Sequence, residues 1–201
     1  MDDSTVSSLI LRALQEMPNI DWIVTITAII YIFLAARENI WCWFFGIISC
    51  STWAYSSLVN YQLYLDAIVN VFYVIMAFVG IYQWRYGSNK SRLPITTMRF
   101  SDHWKVVLIG MLGGVFYGYL FDEFTAAEAT YLDALTTVFA LLTTVLVIQK
   151  KLENWLYWIA IDLVYIHIYI SRGAFLFVVI MLIYIGIAIS GYINWRKKIK
   201  V

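Results

Sequence analysis

Seven stretches of the chain are close to the length of a bilayer crossing and nearly empty of charge: residues 22–36, 40–58, 63–84, 104–121, 131–149, 152–170 and 174–195. A helix needs about 20 mostly apolar residues to span the hydrocarbon core. The first and fourth stretches are short for this but pass. With 62% hydrophobic and 13% charged residues among 201, the chain cannot shield its apolar surface from water, so lipid must cover it. The expected fold class is an all-α integral membrane protein with seven transmembrane helices in one domain, residues 1–201. Residues 1–20 show no cleavable signal peptide. Within them STVSSLILRALQEM, Ser4 to Met17, reads as a short interfacial helix with Leu9, Leu11 and Leu14 at the headgroups.

The short loops set the orientation. One side collects Arg37, then Arg85, Lys90 and Arg92, then Lys150 and Lys151, then the tail WRKKIK. The other collects Asp2 and Asp3, the turn at Asn60–Gln62, the acidic run with Asp122, Glu123 and Glu128, and a lone Arg172 beside Gly173. Basic residues stay in the cytoplasm. The C-terminus is therefore expected inside and the N-terminus outside. The formal net charge of +1 says nothing about partners.

The chain also repeats itself. GIYQWRYG (80–87) matches GYINWRKK (191–198), aligning Gly80, Trp84 and Arg85 with Gly191, Trp195 and Arg196. Arg37-Glu38-Asn39 resembles the stretch from Lys151 to Asn154, each ahead of a tryptophan-rich helix. The expected organisation is 3+1+3: a first three-helix bundle over 20–86, a linker helix over 104–121 and a second bundle over 131–196. An odd linker leaves the two triplets parallel. Such repeats place a substrate site at their interface, near mid-membrane.

Polar stripes mark that site. At 100° per residue, Trp155, Trp158, Asp162, Tyr165 and Tyr169 share an arc of roughly 80° on the sixth span. Asp66, Asn70 and Tyr73 form a second stripe, and Asp133 and Thr137 a third. A carboxylate at mid-depth costs about 2.5–3.5 kcal/mol on insertion scales, so these acids must face a bundle interior or a wet cavity. Asp162 is the deepest, and no lysine or arginine inside the spans is available to pair with it. Two indoles beside a carboxylate suit a flat cation. The bland alternative is that each acid bonds a tyrosine or backbone group across the bundle.

Other features read as scaffold. Gly110, Gly114 and Gly118, with Gly113, form a close-packing ridge. Trp22, Trp41, Trp104 and Trp195 lie near span ends, as interfacial anchors do. Cys42 and Cys50 lie about 12 Å apart along one helix, too far for a disulfide. His167 reads as a core or ligand-contacting histidine, since a metal site wants clustered ligands. There is no GxSxG, no HExxH and no lysine in the last span for a Schiff base. No catalytic residue, cofactor, metal or nucleic-acid partner is expected.

The residues that carry a family resemblance are now in place. WLYWIAID (155–162) fits WxxWxxx(N/D); YQLYLDAIVNVF (61–72), Tyr82 with Trp84, and the basic tail add to it. The chain resembles the Pnu-type bacterial vitamin transporters over nearly its whole membrane core. The resemblance implies a SWEET-like 3+1+3 fold, a homotrimer in the bacterial inner membrane, and facilitated diffusion followed by trapping through phosphorylation. It implies that Trp155, Trp158 and Asp162 line the substrate site. The nicotinamide riboside branch resembles NxYGWYxW at the end of the third span. Here that stretch is AFVGIYQW, with Ala77, Val79 and Ile81 at the three altered positions, and Asp162 stands for an asparagine. Thiamine, a flat cation, is therefore the expected cargo, with nicotinamide riboside as the alternative and a non-transporting receptor as the rival class.

Overall fold

The computed structural model describes residues 3–87, 91–124 and 131–199. Of the charges used for orientation, Asp2, Lys90, Glu128 and Lys200 lie outside the described residues. Eight helices occur among those described: α1 Asp3–Glu16, α2 Asn19–Ala36, α3 Cys42–Val59, α4 Tyr64–Tyr86, α5 Phe100–Phe124, α6 Tyr131–Ile148, α7 Asn154–Ser171 and α8 Phe175–Lys198. The first covers most of the segment read from sequence as a short helix, and it lies against α8. Five of the others, α2, α3, α4, α6 and α8, are long and apolar enough to cross a membrane. The fourth and sixth expected spans, α5 and α7, are absent from that set. Both are continuous helices, of 25 and 18 residues, and α7 carries Asn154, Asp162 and His167 among its apolar residues.

Within each triplet the helices pack in order, α2 on α3 on α4 and α6 on α7 on α8. Two contacts join the triplets, α2 with α8 and α4 with α6. The fifth helix lies on α6 through the glycine ridge. A Cβ built on Gly110, Gly114 or Gly118 would stand 2.5, 2.4 or 2.5 Å from Phe139, Leu135 or Tyr131 respectively. Only hydrogen allows the two backbones this approach. At the basic end His103 stacks on Tyr157 of α7, with 2.9 Å between Nδ1 and the hydroxyl.

Four buried indoles close that end of the bundle. Trp43 meets Trp84, Trp84 meets Trp195, and Trp195 meets Trp155, edge to face, with centroids 5.4, 5.9 and 5.3 Å apart. Trp84 Nε1 donates to the Val147 carbonyl and Trp195 Nε1 to the Ala35 carbonyl, at 3.1 and 3.0 Å. Each of these bonds crosses from one triplet to the other. Gly80 and Gly191 make room, since a Cβ on either would lie 2.5 or 2.7 Å from the ring of Trp43 or Trp155. Trp195 was expected as an interfacial anchor, and here the structure corrects the sequence reading. Its side chain is fully buried, because the C-terminal turn of α8 is drawn in against α2. Trp41 and Trp104 are exposed at their helix ends, as expected.

Beneath the indoles an ion-pair cluster joins the triplets. Glu38 and Lys150, both at positive φ, sit in the turns that precede α3 and α7. The turn residue matching Glu38 is thus Lys150, not Glu153. Glu38 Oε1 accepts from Lys150 Nζ at 2.7 Å, and Oε2 from Lys198 Nζ at 2.9 Å. Lys150 is 3% exposed, lies 4.7 Å from the centre of the Trp84 ring and also donates to the Leu93 carbonyl. The segment 91–99 holds this turn by two backbone bonds, Thr96 N to Lys150 O and Leu152 N to Thr96 O.

Breaking that cluster has a defined signature. Burial pushes the Glu38 carboxyl up, but hydrogen bonds and charges from Lys150 and Lys198 outweigh this and hold it below the usual carboxylate range. A lowered folded pKa adds stability that is fully present above the ordinary carboxylate value and is lost as pH falls through the lowered one. Glu38→Gln leaves Lys150 buried without its counter-charge. Because Glu38 is partly exposed, the expected cost is about 2–3 kcal/mol at pH 7, below that of a fully buried pair. Melting curves from pH 7 to pH 3 should show a smaller acid-induced decline in the variant than in the parent.

Candidate functional site

The sixth expected span carries its stripe into a real cavity. Asp162 lies midway along α7, where nothing in the sequence breaks the helix. Its side chain faces a cavity of about 200 Å³ between α2, α7 and α8. Trp155, Trp158, Tyr165 and Tyr169 of α7 share this wall, which Tyr31 of α2 and Tyr184 of α8 complete. No lysine or arginine lines it.

Two polar atoms of this wall stand without partners. Asp162 is 3% exposed and its Oδ2 has no hydrogen bond. Trp155 is 1% exposed and its Nε1 has none. Buried polar groups are paired in the great majority of cases, so an unpartnered acceptor and donor on one cavity wall need a cause. A guest offering a positive charge to the carboxylate and an acceptor to the indole would satisfy both. The space suits one aromatic ring, so of a nucleoside it would take the base.

The two tryptophans differ in environment. Trp155 belongs to the indole layer, with its ring against Trp195 and the Gly191 backbone. Trp158 is half-buried and packs on the outside of the core cluster that holds these indoles. Tyr165 stacks on Tyr169, and Tyr169 on Phe177, at centroid distances of 5.9 and 5.2 Å.

Five of the ten residues expected at the site line this cavity, and the other five do not. Asp66 is exposed near the start of α4, and its carbonyl accepts from the Asn70 side chain at 2.9 Å. Thr137 Oγ1 donates to the Asp133 carbonyl at 2.9 Å, a bond internal to α6. The Asp133 carboxylate pairs with Arg172 at 2.6 Å, which ties the start of α6 to the α7–α8 turn. Asp21 ties α2 to the α3–α4 turn in the same way, accepting from the Tyr61 hydroxyl at 2.6 Å. Asp133 is thus an outer clasp. Tyr73 is half-buried on α4, outside the lining. His167, expected in the core or at the ligand, is exposed because it projects from the opposite side of α7.

Sequence reasoning missed Tyr31, Tyr184, Ala28, Ile32 and Met181 of the cavity wall. Their spans carry other hydroxyls, Thr25 and Thr27 in α2 and Ser190 and Tyr192 in α8, so no single signal marked Tyr31 and Tyr184.

The sequence profile of the nicotinamide mononucleotide transporter family matches residues 19–197. Nicotinamide riboside transporters PnuC are similar over most of the chain. The Neisseria mucosa protein is 25% identical, over 89% of this chain and 72% of its own length. The Haemophilus influenzae protein is 24% identical, over 87% and 78%. The Escherichia coli protein is 24% identical, over 85% and 82%. A crystal structure of the vitamin B3 transporter PnuC superposes with TM-score 0.73 at 22% identity, covering 96% of this chain and 87% of that one. This last likeness speaks for the fold.

Proposed function

The chain belongs to the nicotinamide mononucleotide transporter family, and we propose that its cargo is nicotinamide riboside, bound at Asp162. It is a multi-pass membrane transporter of the vitamin class, not an enzyme. The observation that carries the cargo reading is the buried Asp162 carboxylate, unpartnered at Oδ2 in an aromatic wall without a basic residue. Nicotinamide riboside offers a flat pyridinium for that carboxylate, with a ring for Trp158 to stack on. Cation–π and stacking contacts are worth about 0.5–2 kcal/mol each when desolvated.

Thiamine was the expectation from the altered third span and from Asp162 in place of the riboside branch's asparagine. The altered positions Ala77, Val79 and Ile81 do not line the cavity, and Ala77 is buried among packed helices. Those three positions therefore have no direct contact through which to choose a cargo, whereas Asp162, which stands where the riboside branch has asparagine, does line the cavity and would meet either cation. The relatives bearing the name nicotinamide riboside transporter favour the alternative.

In our reading the carrier is a uniporter of 3+1+3 build, in the bacterial inner membrane with the basic end inside. Matching packing of α2–α4 and α6–α8, and the paired Trp43–Gly80 and Trp155–Gly191 contacts, support the duplication. The convergence of Arg37, Arg85, Arg92, Lys150 and Lys198 at one end supports the orientation. Opening toward that end requires the bonds from Trp84 and Trp195 across the triplets to break. The test is uptake of labelled nicotinamide riboside into proteoliposomes without an ion gradient. The label should equilibrate and excess thiamine should leave uptake unchanged. Uptake of thiamine alone, or accumulation driven by a pH gradient, would contradict the cargo or the uniport reading.

A further inference from the structure

A second cavity, of about 640 Å³, opens at the basic end, with Trp84 in its wall. Arg37, Arg85, Arg92, Lys150 and Lys198 line it with one carboxylate, Glu38. Both oxygens of Glu38 are committed, one to each lysine. Among the described residues, no carboxylate pairs with Arg37, Arg85 or Arg92. The guanidinium of Arg37 rests 4.1 Å over the Phe33 ring, which fixes it at the rim.

The preference of basic loops for one side of a membrane explains why these residues share a side. It does not explain why five cations from four separate stretches converge on one hollow, where they repel each other. One of them, Lys150, is almost fully buried there. Guanidinium forks and ammonium groups together are the donor set that recognises phosphate oxygens. We infer that this cavity binds the phosphate group of an organic phosphate, separately from the cargo site at Asp162. A phosphorylated small solute and a phospholipid headgroup share that chemistry.

The full-length protein, delipidated in neutral detergent, is titrated with inorganic phosphate, nicotinamide riboside and the 5′-phosphate of nicotinamide riboside. Nanodiscs of phosphatidylcholine with and without phosphatidic acid form the lipid arm. Arg85 and Arg92 are exposed, so the R85Q/R92Q double variant keeps the fold. At least one phosphate probe should bind the parent, more weakly as salt rises. The double variant should bind that probe about tenfold more weakly or worse, with riboside affinity unchanged. Stabilisation by phosphatidic acid alone, lost in the variant, assigns the headgroup as the source. Absence of binding by every phosphate probe, or equal binding by parent and variant, overturns the inference. If phosphate binding persists while riboside fails to bind, the cargo reading falls and this one stands.

Discussion

Asp162→Asn is expected to weaken nicotinamide riboside binding by about 2–3 kcal/mol, roughly 30- to 150-fold, and to raise the melting temperature of the empty protein. The two effects have one cause. The carboxylate is 3% exposed, lacks a partner at Oδ2 and faces no basic residue in its cavity. Folding it there costs desolvation that the protein itself does not offset. Asparagine keeps the shape and removes the charge, so the empty protein gains and the cationic guest loses. Isothermal titration and thermal unfolding on the same preparation read both. A variant that binds as tightly as the parent, or that melts lower, would place the carboxylate in the protein's own packing.

The second large effect separates the two tryptophans. Trp155→Ala should cost about 3–5 kcal/mol of stability, as for a large buried aromatic truncated in a packed core. Its ring fills the space against Trp195 and Gly191. Trp158→Ala should leave the melting temperature within a few degrees of the parent. It should instead weaken riboside binding by about 1–2 kcal/mol, roughly 5- to 30-fold, through lost stacking. Thermal unfolding in detergent with parallel titration distinguishes them. Equal destabilisation by both substitutions would contradict this division.

Much of the architecture was legible because lipid and backbone demand simple patterns. The helix positions follow from apolar runs, the turn at Gly173 from its left-handed backbone, and the α5–α6 contact from glycines four residues apart. Asp162 was legible because an unpaired carboxylate at mid-helix has few structural uses. What escaped was which way a residue points once two helices meet. Trp195 looks like an anchor from its basic neighbours, yet it is core because α8 closes on α2. Asp133 and Asp162 each belong to a polar stripe in sequence, Asp162 the deeper of the two. Only the approach of the α7–α8 turn gives Asp133 an arginine. Tyr31 and Tyr184 reach the site from helices with no stripe of their own, so helical periodicity could not select them.

Charge pairing between the guest and Asp162 is tested most directly by a cycle that removes the charge from each partner in turn. Parent and Asp162→Asn are titrated with nicotinamide riboside and with its uncharged dihydro form. The parent should prefer the cation, and the asparagine variant should lose most of that preference. If the preference survives the substitution undiminished, a group other than this carboxylate recognises the cation, and the cavity at Asp162 is not where the charge is read.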